Sequence, residues 1–303
     1  MKLKKLSLAY FGSPYFSADF LERLITDPLI NQLIEVKLVV TQPDRPVGRK
    51  QVMTPTPVKQ TAQKYSLEIL EIENLKLNKN LKFKIKNYDL ALIYFYGKII
   101  PQHILSFPKH GFWNIHFSLL PKYRGPAPLV ACLISGEIKT GVSIIQVDDK
   151  LDHGDLIIQK EIKIYPRERK NDLEKRLNEI SFEMFKKQIN NLLAGKITLT
   201  PQNHSQATYT KFPTKADGFI EISNLKFQIL NSPEKLFNLF RGLYPWPGLW
   251  TAIRPTRSSG ACPKRLKITD LDLINNKLVI KKVQLEGKRE VDFNTFQKAY
   301  QVF

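Results

Sequence analysis

An α/β fold is predicted for this sequence of 303 residues, with a mainly parallel sheet over the first two thirds and a small β-rich domain after it. Three observations predict it. Short apolar runs alternate with amphipathic helical patterns, the signature of βαβ units. Beyond a polar segment, short strand-like runs separated by turns take over. The length suits two domains, because single hydrophobic cores stop growing well near this size.

The first strand is expected over residues 6–11, an apolar run that stops at Gly12-Ser13-Pro14. Lys2, Lys4 and Lys5 give it the basic flank of a signal peptide, but the run is short and reads as a buried strand instead. Further strands are expected over 36–41, 90–94, 112–116 and 142–147, and helices over 17–25 and 57–65. The segment 42–57 carries Pro43, Pro46, Gly48, Pro55 and Pro57 and reads as a long irregular loop. From 168 to 194 the residues Leu173, Leu177, Ile180, Met184, Ile189 and Leu193 recur at helical steps, and Gly195 stands ready to end that helix. The polar stretch 198–207 reads as a linker. After it, strand-like runs over 219–222, 249–253, 265–270, 277–283 and 293–300 imply a small β domain, with a barrel as its simplest closure.

The apolar fraction of 43% and the charged fraction of 25% are those of a folded globular protein, and no run approaches the ~20 apolar residues of a membrane span. No membrane association is expected. The net charge of +19 attracts polyanions, so a nucleic acid or an anionic substrate is implied. That charge is densest late in the chain: residues 207–303 hold 16 Lys and Arg against 8 Asp and Glu. Cys132 and Cys262 have no partner at metal-ligand spacing, so neither a disulfide framework nor a cysteine zinc site is expected, and a reducing cytoplasm fits. His103, His110 and His116 are spaced for neither a helix-face nor a finger site, and no metal is expected. Phosphate-loop, dinucleotide and serine-hydrolase signatures are missing.

Residues two apart on a strand share a face, so Asn114 and His116 at the end of 112–116 project together. The carboxylate-rich stretch from Asp148 to Asp155 follows the strand 142–147 and is placed to return a carboxylate to His116. An amide, an imidazole and a carboxylate are the parts needed to pass an acyl group between amines: one stabilises the oxyanion, the others move protons. A solvated acidic hairpin beside a strand-end His is the plain structural alternative.

Several stretches together resemble the folate-dependent formyltransferases nearly end to end. They are Tyr10-Phe11-Gly12-Ser13-Pro14, Val40-Thr41-Gln42-Pro43-Asp44-Arg45-Pro46, Tyr96-Gly97-Lys98-Ile99-Ile100-Pro101, and above all Asn114-Ile115-His116 through Tyr123-Arg124-Gly125 with Leu151-Asp152-His153-Gly154-Asp155. The resemblance implies a Rossmann-like formyltransferase domain over 1–197, the linker over 198–207 and a basic OB-like β-barrel domain over 208–303. It implies that Asn114 and His116 polarise the formyl carbonyl while Asp152 orients the imidazole and helps take the amine proton. It implies 10-formyltetrahydrofolate as co-substrate, in a slot lined by Tyr96, Gly97, Ile99, Pro101, Ser118, Leu119, Leu120 and Pro121.

The match of Arg241-Gly242-Leu243-Tyr244-Pro245-Trp246-Pro247-Gly248 to the family's second domain, together with its charge, implies initiator methionyl-tRNA as the acceptor. Arg45, Arg49, Lys50, Lys122, Arg124 and Arg241 are the expected tRNA contacts, the first three on a loop like one that family members set against the acceptor end. An amino-sugar nucleotide is the alternative acceptor, since the first domain's signature would serve both. No obligate protein partner is expected. Two residues depart from the family's pattern: His153 replaces a small residue and Val130 a polar amide.

Overall fold

The computed structural model describes residues 4–48, 50–75, 81, 84–254 and 262–302. Its first unit is drawn from residues 1–125, 141–161 and 175–209, its second from 126–140, 162–174 and 210–303.

A seven-stranded sheet organises the first unit. Inside it runs β1 (Leu6–Phe11), whose Leu8, Ala9, Tyr10 and Phe11 are fully buried because helices cover both faces of such a sheet. On one side of β1 lie β2 (Ile34–Thr41) and then Glu68–Glu71; on the other lie Leu90–Ile93, Phe112–His116, Lys139–Gln146 and Leu156–Lys163. With the hairpin strands Arg45–Val47 and Val52–Thr54 counted as β3 and β4, those flanking strands are β5 to β9 in chain order. Strand order is β5-β2-β1-β6-β7-β8-β9. Pairing is parallel from β5 to β7 and antiparallel between β7 and β8.

The chain therefore winds one way from β1 through β2 to β5 and the other way from β6 to β7. The reversal opens a crevice at the carboxyl ends of β1 and β6, where open α/β sheets bind ligands.

Local chemistry explains the helices around this sheet. Helix α1 (Tyr15–Thr26) buries Ser17, Ala18, Phe20, Leu21 and Leu24, one face of a helical repeat. After the short turn α2 (Ile30–Leu33), α3 (Pro57–Lys64) starts with Pro at its first position, and the Thr56 hydroxyl accepts the Lys59 N–H at 3.1 Å. Phe20 packs on Tyr94 at 4.5 Å and on Phe182 at 5.5 Å between ring centroids. The Tyr94 hydroxyl donates to Asn178 Oδ1 at 2.6 Å, and so satisfies a polar atom inside that aromatic cluster.

Segment 42–57, expected to be irregular, instead folds back as an antiparallel hairpin of β3 with β4. Pro46 is tolerated because both strands of a two-stranded ribbon are edges, so its missing N–H interrupts no ladder. Lys59, bonded to Asp44 and Glu71 at 2.8 Å each, ties the base of the hairpin to β5, and these carboxylates raise its pKa.

The second unit carries a four-stranded antiparallel sheet in the order Leu249–Ile253, Lys264–Ile274, Lys277–Leu285 and Glu290–Asp292. The strand expected over 219–222 does not form. A 3₁₀ turn at Ala216–Gly218 and a single bridge from Phe219 to Trp250 lead directly into the helix Ile222–Asn231. The expected strand over 293–300 is also a helix, Phe293–Tyr300, since Phe293, Phe296 and Tyr300 fall on a helical repeat. A further helix, Pro233–Leu243, drives Leu236, Phe237, Phe240 and Leu243 into the core of this unit. Helix Pro128–Ile134 lies against it at Gly242, where a Cβ would press on Ile134 and on the Val130 carbonyl. Val130, the apolar departure from the family's pattern, packs against this core.

Replacing Phe20 by Ala removes the hub of the first unit's aromatic cluster. The expected cost is about 3–5 kcal/mol, read as a lower denaturant midpoint for the unfolding of that unit.

Candidate active site

Strand β7 reaches the crevice edge with alternating faces. Ile115 points into the core while Asn114 and His116 share the opposite face. Asp152 meets both from the loop after β8. Its Oδ1 accepts from Asn114 Nδ2 at 3.0 Å, and its Oδ2 lies 3.6 Å from His116 Nδ1. That second distance is electrostatic rather than a hydrogen bond. Oδ2 takes its hydrogen bond from the Gly125 N–H at 2.7 Å.

His116 is buried, and its Nε2 lies 2.9 Å from the Tyr123 carbonyl oxygen. A carbonyl only accepts, so Nε2 carries a proton. Nδ1 then faces the Asp152 carboxylate, whose negative charge favours an imidazolium formed here.

The residues that build this geometry adopt unusual backbone. Asp152 and Tyr123 sit in the left-handed region, at φ 47° and 61°, which L-residues enter only when their surroundings over-determine them. Gln202 is one such determinant, donating to the Asp152 carbonyl at 3.0 Å and to the Gly154 carbonyl at 2.7 Å. The segment 198–207, read as a linker, is thus bonded to the site loop, and Thr200 pairs with Leu156 in an isolated bridge.

The turn from Ser118 to Pro121 is locked from below. Ser143 Oγ donates to the Ser118 carbonyl at 2.6 Å, and Gln159 Nε2 donates to the Leu120 carbonyl at 3.0 Å. Ser118 and Leu120 are buried, and Leu119 and Pro121 are half-buried. In the segment from Tyr96 to Pro101, Gln42 Nε2 holds the Tyr96 carbonyl at 2.8 Å. Tyr96 is buried edge-on to Phe11, and desolvation pushes its phenol pKa up; Gly97 is left-handed and exposed, Ile99 is exposed and Pro101 half-buried. Ser143, Gln159 and Gln202 escaped the sequence reading because each works on a backbone oxygen distant in sequence.

The cationic residues divide. Arg45 and Lys50 are exposed on the hairpin beside exposed Val47, Val52 and Met53, and Lys122 is exposed on its loop; Arg49 lies outside the described residues. Arg124 and Arg241 are not surface contacts, being 1% and 5% exposed. The Arg124 guanidinium donates to Gln202 Oε1 at 2.7 Å and to His204 Nδ1 at 2.8 Å. That of Arg241 donates to Asn238 at 2.7 Å and to the Glu168 carbonyl at 3.3 Å, and burial lowers its pKa. Both guanidiniums are buried and bonded inside the fold, which corrects the expectation that they meet phosphate. His153 stacks on His204 at 3.8 Å and bonds Asp148 through Nδ1 at 2.5 Å, so it faces away from the trio.

Among the described residues no group of three or more His, Cys, Asp and Glu side chains is arranged to hold a metal ion, and no helix is long and apolar enough to cross a membrane.

At the end of β7 in this mainly parallel sheet an amide, an imidazole and a carboxylate converge, groups whose chemistry can hold an oxyanion and move protons. The chain belongs to the formyl transferase family, whose model matches residues 7–189. Methionyl-tRNA formyltransferase of Caldicellulosiruptor saccharolyticus is 33% identical over 317 residues, covering 98% of each chain. That of Geobacter metallireducens is 36% identical over 249 residues, covering 82% of this chain and 76% of its own. Among solved structures, a 4-N formyltransferase from Francisella tularensis shares the fold at a TM-score of 0.62 and 21% identity, covering 81% of this chain and 92% of its own. Methionyl-tRNA formyltransferase from Clostridium thermocellum shares it at 0.58 and 17%, covering 92% and 98%.

A Cβ built on Gly154 would overlap the Gln146 carbonyl oxygen, a backbone atom with no freedom to move aside. Gly154→Ala should therefore cost about 1–3 kcal/mol and displace the neighbouring Asp152. Thermal unfolding together with formyl transfer rates measures both effects.

Proposed function

We propose that this enzyme transfers the formyl group of 10-formyltetrahydrofolate to the α-amine of methionyl initiator tRNA, supplying formylmethionyl-tRNA for translation initiation in the cytoplasm. The observation that carries the chemistry is the convergence of Asn114, His116 and Asp152. The amine attacks the formyl carbon, and oxygen takes up negative charge beside the Asn114 amide and the His116 imidazole. Asp152 stabilises the imidazolium while the amine proton passes to the departing nitrogen of the donor, whose bond to the formyl carbon breaks.

The donor fits the segment from Tyr96 to Pro101 and the turn from Ser118 to Pro121. Gly97 leaves backbone open and Ile99 offers an apolar edge, which suits a flat, partly apolar pterin. The tRNA acceptor draws support from relatives that carry that name along nearly the whole chain, from the net charge of +19 and from the exposed Arg45 and Lys50. We read the second unit's antiparallel sheet as an OB-like β-barrel whose basic surface, over 208–303, receives the tRNA, and 198–207 as the segment leading to it.

Purified protein given the formyl donor should formylate charged initiator tRNA, and His116→Ala should lower that rate by about 10²–10⁴-fold. Formylation of an amino-sugar nucleotide alone would replace the acceptor, and full activity of the His116 variant would remove the site.

Arg45→Ala with Lys50→Ala should flatten the dependence of log affinity for tRNA on log salt, by ~0.7–0.9 for each phosphate that the hairpin no longer neutralises. The defect is then largest at low salt, and an unchanged slope would take the hairpin out of the interface.

A further inference from the structure

Gln202 is buried to 5% exposure and lies fifty residues beyond Asp152, yet its amide is fully engaged by the site loop and by Arg124. Arginine has only donors, so Gln202 must turn its oxygen to Arg124 Nη2, at 2.7 Å. That choice fixes the flip of the amide and aims both N–H groups at the carbonyls of Asp152 and Gly154, at 3.0 and 2.7 Å.

Arg124 stands between Tyr123, whose carbonyl takes His116 Nε2, and Gly125, whose N–H holds Asp152 Oδ2. The bonds close a ring. It runs from Arg124 to Gln202, on to the Asp152 backbone, and back from the Asp152 carboxylate to the Gly125 N–H, with His116 tied to it through the Tyr123 carbonyl. Arg124 is pinned in turn by its own N–H on the Thr208 carbonyl at 2.8 Å.

We propose that Gln202 is a positioning residue of the transfer reaction, holding the left-handed backbone of Asp152 by a link anchored on Arg124 so that the carboxylate faces Asn114 and His116 together. This rests on the reading of Asp152 as the working carboxylate. An ångström of misplacement at a reacting group costs up to ~100-fold in rate, so a ring of this kind acts on turnover more than on substrate affinity.

Two substitutions separate positioning from mere structural satisfaction. Gln202→Glu keeps an acceptor for Arg124 and loses the N–H groups that hold the carbonyls; Gln202→Met loses both. Positioning predicts that each lowers kcat by about 10- to 100-fold while KM for donor and tRNA stays within about 2-fold. It predicts too that the loss shrinks to less than about 3-fold in an Asp152→Asn background, because residues acting as a unit are not additive. As a readout independent of turnover, the NMR ring resonances of His116 at fixed pH, assigned with His116→Asn, should move in both variants. Normal turnover of Gln202→Glu, an undiminished loss in the Asp152→Asn background, or unmoved His116 ring resonances would each overturn the inference. Wild-type turnover of Asp152→Asn alone would instead remove the reading on which it rests.

Discussion

One carboxylate holds the candidate site together. Asp152 accepts an N–H on each oxygen, from Asn114 and from Gly125, and presents the second oxygen to His116. The two N–H groups satisfy both oxygens of this buried carboxylate and fix the direction in which it points. Asn114, His116 and the backbone from Tyr123 to Gly125 are meaningful as a set because they meet at this group.

The sheet makes that meeting possible. Reversal of winding at β1 and β6 leaves the carboxyl ends of the parallel strands open to ligands, and β7 ends on the same side. The antiparallel entry of β8 matters as much. Since β8 runs back along β7, its C-terminal end lies beside the start of β7, with Gln146 opposite Trp113, and the loop of Asp148 to Asp155 must turn back for Asp152 to reach Asn114.

How much of this was legible in the sequence follows from what each residue touches. β1 and β7 were read at their observed limits because each is an apolar run with sharp ends. β9 was missed because it lies at the sheet edge, half exposed, with no alternation to betray it. In the second unit the helix Ile222–Asn231 leaves Phe227 and Leu230 exposed, which blurs its period, and the apolar run at its start imitated a strand. Asn114, His116 and Asp152 were legible because side chains do their pairing. Tyr123 and Gly125 contribute backbone atoms, which any residue type supplies, and Arg124 and Arg241 read as surface cations because residue type does not report burial.

The period-two placement of Asn114 and His116 has an evolutionary consequence. β7 is pinned by β6 on one side and by β8 on the other, so inserting or deleting a single residue within it would turn one or both of these side chains to the wrong face of the sheet. Length variation in descendants of this sequence is thereby excluded from five residues in the middle of the chain and diverted to surface segments such as the β3–β4 hairpin, where the scaffold tolerates it.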